Sequence, residues 1–526
     1  MNTAVRSLVV IGIIIIFLLI GGVEFFAKIW EFPGNFEFFN RHLAGRIPLM
    51  VYALLGTGIF MAIRLGFIQV RRLKHSFEVI SGKYDDPKDT GDLSHFQALS
   101  AALSATVGIG NIAGVGIAIH YGGPGALFWM WITAIFGMGL KFSECTLSMV
   151  YRDVHTDGSV SGGPMYYIEK GLGPRFKWLA VAFAVFGVIC SFGTGNSIQA
   201  FTVSDQIYSE VAALVANPET HFLTQKYHII GAFDVSLMQL FNAVMLCTIV
   251  GLVIIGGIRR IGRVASRLAP FMAAFYVTAA LVILISNYNQ IIPVFTMIFS
   301  YAFNPPAEIA GVGGGVMLVA FNTMMWGVRR GLFSNESGQG SAAIAHATAK
   351  TKYPVREGIV AMAGPFIDTL IICSMTGLVI VSTGAWHHTA YYVQNIDPSF
   401  TGEMYNSSVL TAFAFKQGLS WLTSYGDKIV TMAVFLFAIS TAISWSYYGD
   451  RCSEYLWGPK AVPIYRWCFL VAHFIGAIAS LEAIWMFGDA ALGFMTFPNL
   501  MALLLLSPKI VQLSREYFST GLDRAT

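Results

Sequence analysis

The 526-residue sequence is 55% hydrophobic and only 12% charged, where an average soluble domain is about 25% charged. With a mean hydropathy of +0.63, this excludes a string of water-soluble domains, a secreted disulfide scaffold and a disordered chain. A net charge of +4 carries no message until the charges are sorted by side, and the class is a polytopic α-helical membrane protein.

A bilayer core takes about 20 apolar residues per helix, and twelve segments qualify. The first, roughly 7–26, follows Arg6 and has the outline of a signal peptide, but no A-x-A-like site comes after it. The second is roughly 47–66. The third, 97–119, holds Gly108, Gly110, Gly114 and Gly116 around Asn111. Each glycine costs a helix about 1 kcal/mol against alanine, so an unwound stretch is expected over 107–116, with close packing of small residues as the plain alternative. The fourth, 126–150, carries Lys141 and Glu144, three apart and expected to pair with each other. The fifth, 178–202, sets Asn196 and Gln199 on one helix face at membrane depth, for substrate or for interhelical hydrogen bonds. Segments at roughly 239–258 and 265–287 follow. The eighth, 308–328, begins after Pro305 and Pro306 with Gly311 and Gly313 to Gly315, a second candidate break. The ninth, 358–383, contains Asp368, a candidate gate or proton-linked group, since intramembrane ionisable residues are functional by default. The tenth, 428–448, contains Ser440 and Thr441; the eleventh, 464–486, a hydrogen-bonded helix histidine at His473; the twelfth is 490–512. The longest loops are 203–238 and 384–427. The six cysteines form no CxxC and suggest neither disulfides nor a thiolate metal site.

Alternating the spans from an inner N-terminus places 26 Lys and Arg on the inner side and 6 on the outer, with Lys141 inside a span. That asymmetry is the positive-inside pattern and predicts a multi-pass cell-membrane protein of the bacterial inner-membrane type with both termini cytoplasmic. Counted from the third segment, the two glycine-rich segments are helices 1 and 6 of a ten-helix core, in halves of opposite orientation. Paired broken helices in inverted halves point to a secondary transporter with its site at the midplane. The organisation expected is 1–95 as preceding helices and linker, 96–290 and 291–514 as the two five-helix repeats, and 515–526 as a cytoplasmic tail.

Several stretches then share one resemblance: ATVGIGNIAGVGIAI, GGPGALFWMWITAIFGMGLKFSECTL, GGPMYYIEKGLG, GGIRRIGRV, RGLFSNESGQGSAAIAHATAK and AISTAISWSYYGDRC. In order and over about residues 47–512, they resemble the alanine or glycine:cation symporter family. The resemblance implies a leucine-transporter-like 5+5 inverted repeat with discontinuous first and sixth core helices, importing a small neutral amino acid with Na⁺. Three features depart from the family: a second helix before the core, a longer loop at 203–238, and NESGQGS at Asn335–Ser341 where NEAGLGS is usual.

An amino acid needs donors for its carboxylate, acceptors for its ammonium and room for its side chain. On this reading the N–H groups of Ile109, Gly110 and Asn111 take the carboxylate, and carbonyls around Thr106 take the ammonium. Asn196 and Gln199 are candidates for the polar ends; Trp326 and Trp445 are placed against the side chain. Na⁺ as coupling ion would sit among oxygens of Ser104, Val107, Ser440 and Thr441, by analogy with other hard cations. The resemblance favours that ion site over back-bonding of the hydroxyls to their own helix. H⁺ coupling, or preference for glutamine or a D-amino acid, is the alternative within the fold. A channel is a weaker alternative, since no filter-like repeat is present. No HExxH, GxSxG or P-loop appears, so neither enzyme chemistry nor ATP driving is expected. The partners expected are the amino acid, Na⁺ and membrane lipid, with no nucleic acid.

Overall fold

The computed structural model describes residues 49–86, 88–156, 158–230, 233–306, 315–478 and 481–522. The expected first span, 7–26, and Gly311 to Gly314 of the second glycine cluster lie outside the described residues. Within them, eight helices are long and apolar enough to cross a membrane, and a helix pair bent by 62°, His95–Thr106 with Ile109–Gly122, is apolar enough to make a ninth if it is one span.

α1 (Leu49–Arg64) is a shorter apolar helix. α2 (His95–Thr106) starts on a capping box: the Gln97 N–H donates to the Ser94 hydroxyl, and the Ser94 N–H to the Gln97 side chain. It stops where Val107 turns to ψ 86° and Gly108 becomes extended. A 3₁₀ turn at Ile109–Asn111 follows, and α3 (Ala113–Gly122) continues from there. The expected unwinding is therefore present but shorter than predicted. It covers 107–112, and Gly114 and Gly116 are already helical.

α4 (Ala126–Tyr151) and the short α5 (Pro164–Leu172) come next. α6 (Lys177–Phe192) passes through a π turn at Gly193–Ser197 into α7 (Ile198–Ala212). Then come α8 (Leu237–Ile254), α9 (Gly257–Ser286) and α10 (Ile291–Phe303). α11 (Gly315–Asn335) runs past the end expected near residue 328. The described chain breaks after it, over 336–340, where φ is positive at Glu336 (52°), Gly338 (83°) and Gly340 (82°). α12 (Ser341–His346) resumes the helix. α13 (Pro354–Pro365) is carried by a π stretch at Phe366–Cys373 into α14 (Ser374–Ser382). α15 (Ser407–Gly418) precedes α16 (Gly426–Trp457), α17 (Val462–Ile478) and α18 (Leu481–Ser519). The eleventh expected segment, 464–486, runs across residues 479–480, which lie outside the described residues. Two short antiparallel hairpins, Asp153–Val154 with Val160–Ser161 and Lys226–Ile230 with Phe233–Ser236, lie in connections.

The helices pack in two groups. α4 is flanked by α11, α12 and α13, with α2 against α12 and α13; α16 gathers α6, α7 and α17, and α8 packs on α17. α2 meets α16 between the groups. The expected Lys141–Glu144 pair is not formed. Glu144 turns to α18 and accepts from Asn499 Nδ2 at 3.1 Å, and the buried Lys141 Nζ has no hydrogen-bond partner among the described residues. A spacing of three brings two side chains near each other, but a better donor on another helix decides where the carboxylate points.

Candidate functional site

Unwound backbone at membrane depth must find partners for its N–H and C=O groups, and at the first break most are found. The Gly108 N–H donates to Asn111 Oδ1 at 2.9 Å. The Asn111 N–H donates to the Gly108 carbonyl and the Ile112 N–H to the Ile109 carbonyl, both at 3.2 Å. The carbonyls of Asn111 and Ile112 accept from the hydroxyls of Thr376 (2.8 Å) and Thr411 (3.1 Å). The N–H groups of Ile109 and Gly110 donate to no acceptor among the described residues. Two adjacent donors thus remain, buried with their residues. The expected third, Asn111, has its N–H engaged within the turn.

Gly108 is also approached from two other helices. A side chain there would begin 2.5 Å from Thr441 Oγ1 of α16 and 3.7 Å from Gln199 Oε1 of α7. Only glycine leaves room for that approach. Both oxygens are buried and without a hydrogen-bond partner among the described residues. Gln199 is oriented by its other end, since Nε2 donates to the Thr194 carbonyl at 3.1 Å in the π turn. Beside them, Ser440 Oγ donates to the Ser104 carbonyl at 3.0 Å and Ser104 Oγ to the Ser440 carbonyl at 3.2 Å. Thr106 Oγ1 bonds back to the carbonyls of Ala102 and Leu103.

The second break sits against the first. Phe333 and Ser334, near the end of α11, lie 3.4–3.5 Å from where a Gly110 side chain would begin. Within the break, the Ser337 N–H donates to Asn335 Oδ1 at 3.0 Å, and Gln339 Nε2 donates to the Leu332 carbonyl at 3.1 Å. Glu336 accepts from Ser341 Oγ at 2.6 Å and from Trp445 Nε1 at 3.0 Å. Between the breaks stands Asp368, in the π stretch after α13. It accepts from Asn111 Nδ2 (2.6 Å), Ser334 Oγ (2.9 Å) and Thr369 Oγ1 (2.7 Å).

The predicted residues divide accordingly. Ser104, Thr106, Val107, Ile109, Gly110, Asn111, Gln199, Ser440 and Thr441 gather at the first break. Trp445 is one turn beyond Thr441 on the same face of α16, buried against Gly195, where a side chain would begin 2.3 Å from its Cβ. Asn196 is directed elsewhere. Its Nδ2 donates to the Phe469 carbonyl at 2.7 Å and its Oδ1 meets His473 Nδ1, so both ends belong to α17. Asn196 lies inside the π turn and Gln199 beyond it, and the two reach different helices instead of one site. Trp326 is also apart from the break. It stacks on Tyr121 with centroids 4.6 Å apart and lies beside Gly122, at the opposite end of α3. Phe333 takes the place expected of an aromatic at the break. Ser334 and Glu336 also stand at the breaks and are not among the expected residues; the signal that could find them is the pair Gly338 and Gly340, both at positive φ. Among the described residues no cluster of His, Cys, Asp or Glu is arranged to hold a metal ion.

The family model described as the sodium:alanine symporter family matches residues 34–524. The chain belongs to the sodium:alanine symporter family. It is 42% identical to the sodium/alanine symporter AgcS of Methanococcus maripaludis, over 89% of this chain and 94% of that protein. It is 35% identical to a putative sodium/proton-dependent alanine carrier protein, YrbD, of Bacillus subtilis, over 89% of each. It is 33% identical to the probable sodium/glutamine symporter GlnT of the same organism, over 89% of this chain and 87% of that one. As a sodium:alanine symporter family member with several membrane-crossing helices, the protein is a multi-pass membrane transporter rather than a member of an enzyme class.

Proposed function

We propose that this family member imports alanine, glycine or a similar small neutral amino acid together with Na⁺, by alternating access across an inner membrane with both termini cytoplasmic. The observation that carries this reading is the convergence at Gly108. Two oxygens without a hydrogen-bond partner among the described residues, Thr441 Oγ1 and Gln199 Oε1, face a glycine whose neighbours Ile109 and Gly110 keep N–H groups that donate to no described acceptor. Gln199 Oε1 suits an ammonium and the backbone donors suit a carboxylate, so both ends of a zwitterion are served within a few residues, and Thr441 Oγ1 is left for the coupling ion. Phe333 beside Gly110 and the buried Trp445 bound the space for a side chain, which favours small ones.

Na⁺ takes the oxygens between α2 and α16: the carbonyls of Ser104 and Val107 and the hydroxyls of Ser440 and Thr441. Its arrival competes with the direct Ser104–Ser440 hydrogen bonds, so ion binding and the α2–α16 contact are coupled. Bound Na⁺ favours the outward-open state, and the amino acid, held by both breaks, permits closure. The halves that move are the inverted repeats over 96–290 and 291–514.

The test is uptake of radiolabelled alanine and glycine into proteoliposomes under an inward Na⁺ gradient. Uptake is expected to be Na⁺-stimulated and lost in Thr441→Ala; uptake indifferent to Na⁺ but driven by H⁺ replaces the coupling ion. The names of YrbD and GlnT motivate a second reading, H⁺ coupling or glutamine preference. Stronger competition by glutamine or D-alanine than by L-alanine would establish the corresponding substrate instead.

A further inference from the structure

The network joining the two helix breaks converges on one carboxylate. Asp368 Oδ1 receives Asn111 Nδ2, and the same Asn111 side chain closes the Gly108 N–H through its Oδ1. Asp368 Oδ2 receives Ser334, the residue before Asn335, whose Oδ1 in turn caps the Ser337 N–H. The Asp368 carbonyl takes a second contact from Asn111 Nδ2 at 3.2 Å. The side chain is fully buried, and its three donors are an amide and two hydroxyls, all uncharged. Lys141 acts on it only from beyond hydrogen-bond reach. Neutral donors hold an anion in place without cancelling its charge, and in a low-dielectric interior that charge extends to neighbouring sites.

We infer that Asp368 is the positioning residue that holds the two breaks in register, and that its charge makes the occupied site require a cation. This rests on the Na⁺-symport reading above and deepens it. Asp368 touches neither of the partnerless oxygens at Gly108. It acts through Asn111 on the chain that carries Ile109 and Gly110, and through its field on whatever cation lies beside Gly108. An amino acid is net neutral and gains little from a lone anion, whereas Na⁺ gains fully. The expected signature is therefore a change in Na⁺ demand separate from amino-acid affinity.

Asp368→Asn is a clean probe, because Ser334 and Thr369 hydroxyls accept as readily as they donate and the network can re-form without the charge. In proteoliposomes, the Na⁺ concentration giving half-maximal alanine uptake should rise about tenfold or more, the scale of one charge felt through protein. The alanine KM at saturating Na⁺ should change far less. Ser334→Ala keeps the anion and removes one donor, and is expected to leave the half-maximal Na⁺ concentration the same or lower. A folded Asp368→Asn protein with wild-type Na⁺ dependence overturns the inference. So does a tenfold loss of Na⁺ affinity in Ser334→Ala, which would make the role geometric alone and which stays informative if Asp368→Asn does not fold. Wild-type protein indifferent to Na⁺ is a different result and removes the symport reading itself.

Discussion

A single methyl group at residue 108 is the smallest change expected to stop transport. In Gly108→Ala the new Cβ would stand 2.5 Å from Thr441 Oγ1, inside any ordinary contact, and would fill the space in which the two partnerless oxygens meet. Alanine uptake should fall to background while the purified protein keeps its fold by circular dichroism. Asn196→Ala is predicted to behave in the opposite way. Both ends of that amide bind α17, so removing it leaves buried His473 Nδ1 without a partner and the Phe469 carbonyl with only its helix bond, at a cost of about 1–3 kcal/mol. The melting temperature should drop, with half-maximal Na⁺ and alanine concentrations near those of the wild type. A shifted alanine KM at unchanged stability would return Asn196 to the binding site.

At the scale of elements, the first break was legible because its signal is local, Gly108 and Gly110 beside Asn111, whereas Gly114 and Gly116 remain helical and Gly116 makes room for the Ser407 backbone. The second expected break, at Gly311 and Gly313 to Gly315, lies outside the described residues except for Gly315. From there α11 runs unbroken to Asn335, and a further break falls at Glu336–Gly340, in a polar run that composition does not separate from a loop. The π turns at Gly193–Ser197 and Phe366–Cys373 were equally hidden, since sequence spacing assumes 3.6 residues per turn. That is why Asn196 and Gln199, three apart, serve different neighbours. Tertiary choice also decided Glu144, which prefers Asn499 to its neighbour Lys141. Outside the spans, α5 is tied to α16 by Glu169, which accepts from the Tyr455 hydroxyl and pairs with Lys177 at 2.9 Å. These contacts, the tyrosine first, hold its carboxyl below the ordinary glutamate range. A lowered folded-state value means stability that is present above the unfolded value and lost as pH falls through the folded one. Glu169→Gln should therefore melt earlier than the wild type at neutral pH, and the two curves should converge below about pH 4.

For the whole molecule, the scarcity of charge declared a membrane protein, and its sorting, 26 basic residues against 6, predicts the orientation. Single cysteines replacing Lys177 and Lys226 in otherwise cysteine-free protein should react with an impermeant maleimide from opposite sides, Lys226→Cys from outside the cell. Labelling of both from one side would refute the span count. The two helix groups meet where α2 crosses α16, which is also where the ion and the amino acid are proposed to bind, so occupancy and the relative position of the groups are one equilibrium. The most direct test is a thermal-shift screen of the purified protein against all amino acids, in Na⁺ and in choline, alongside Thr441→Ala. Stabilisation by alanine, glycine or a close relative only in Na⁺, and absent in the variant, is the predicted result; equal stabilisation in choline, or an unchanged response in Thr441→Ala, would contradict a Na⁺-coupled site at Gly108.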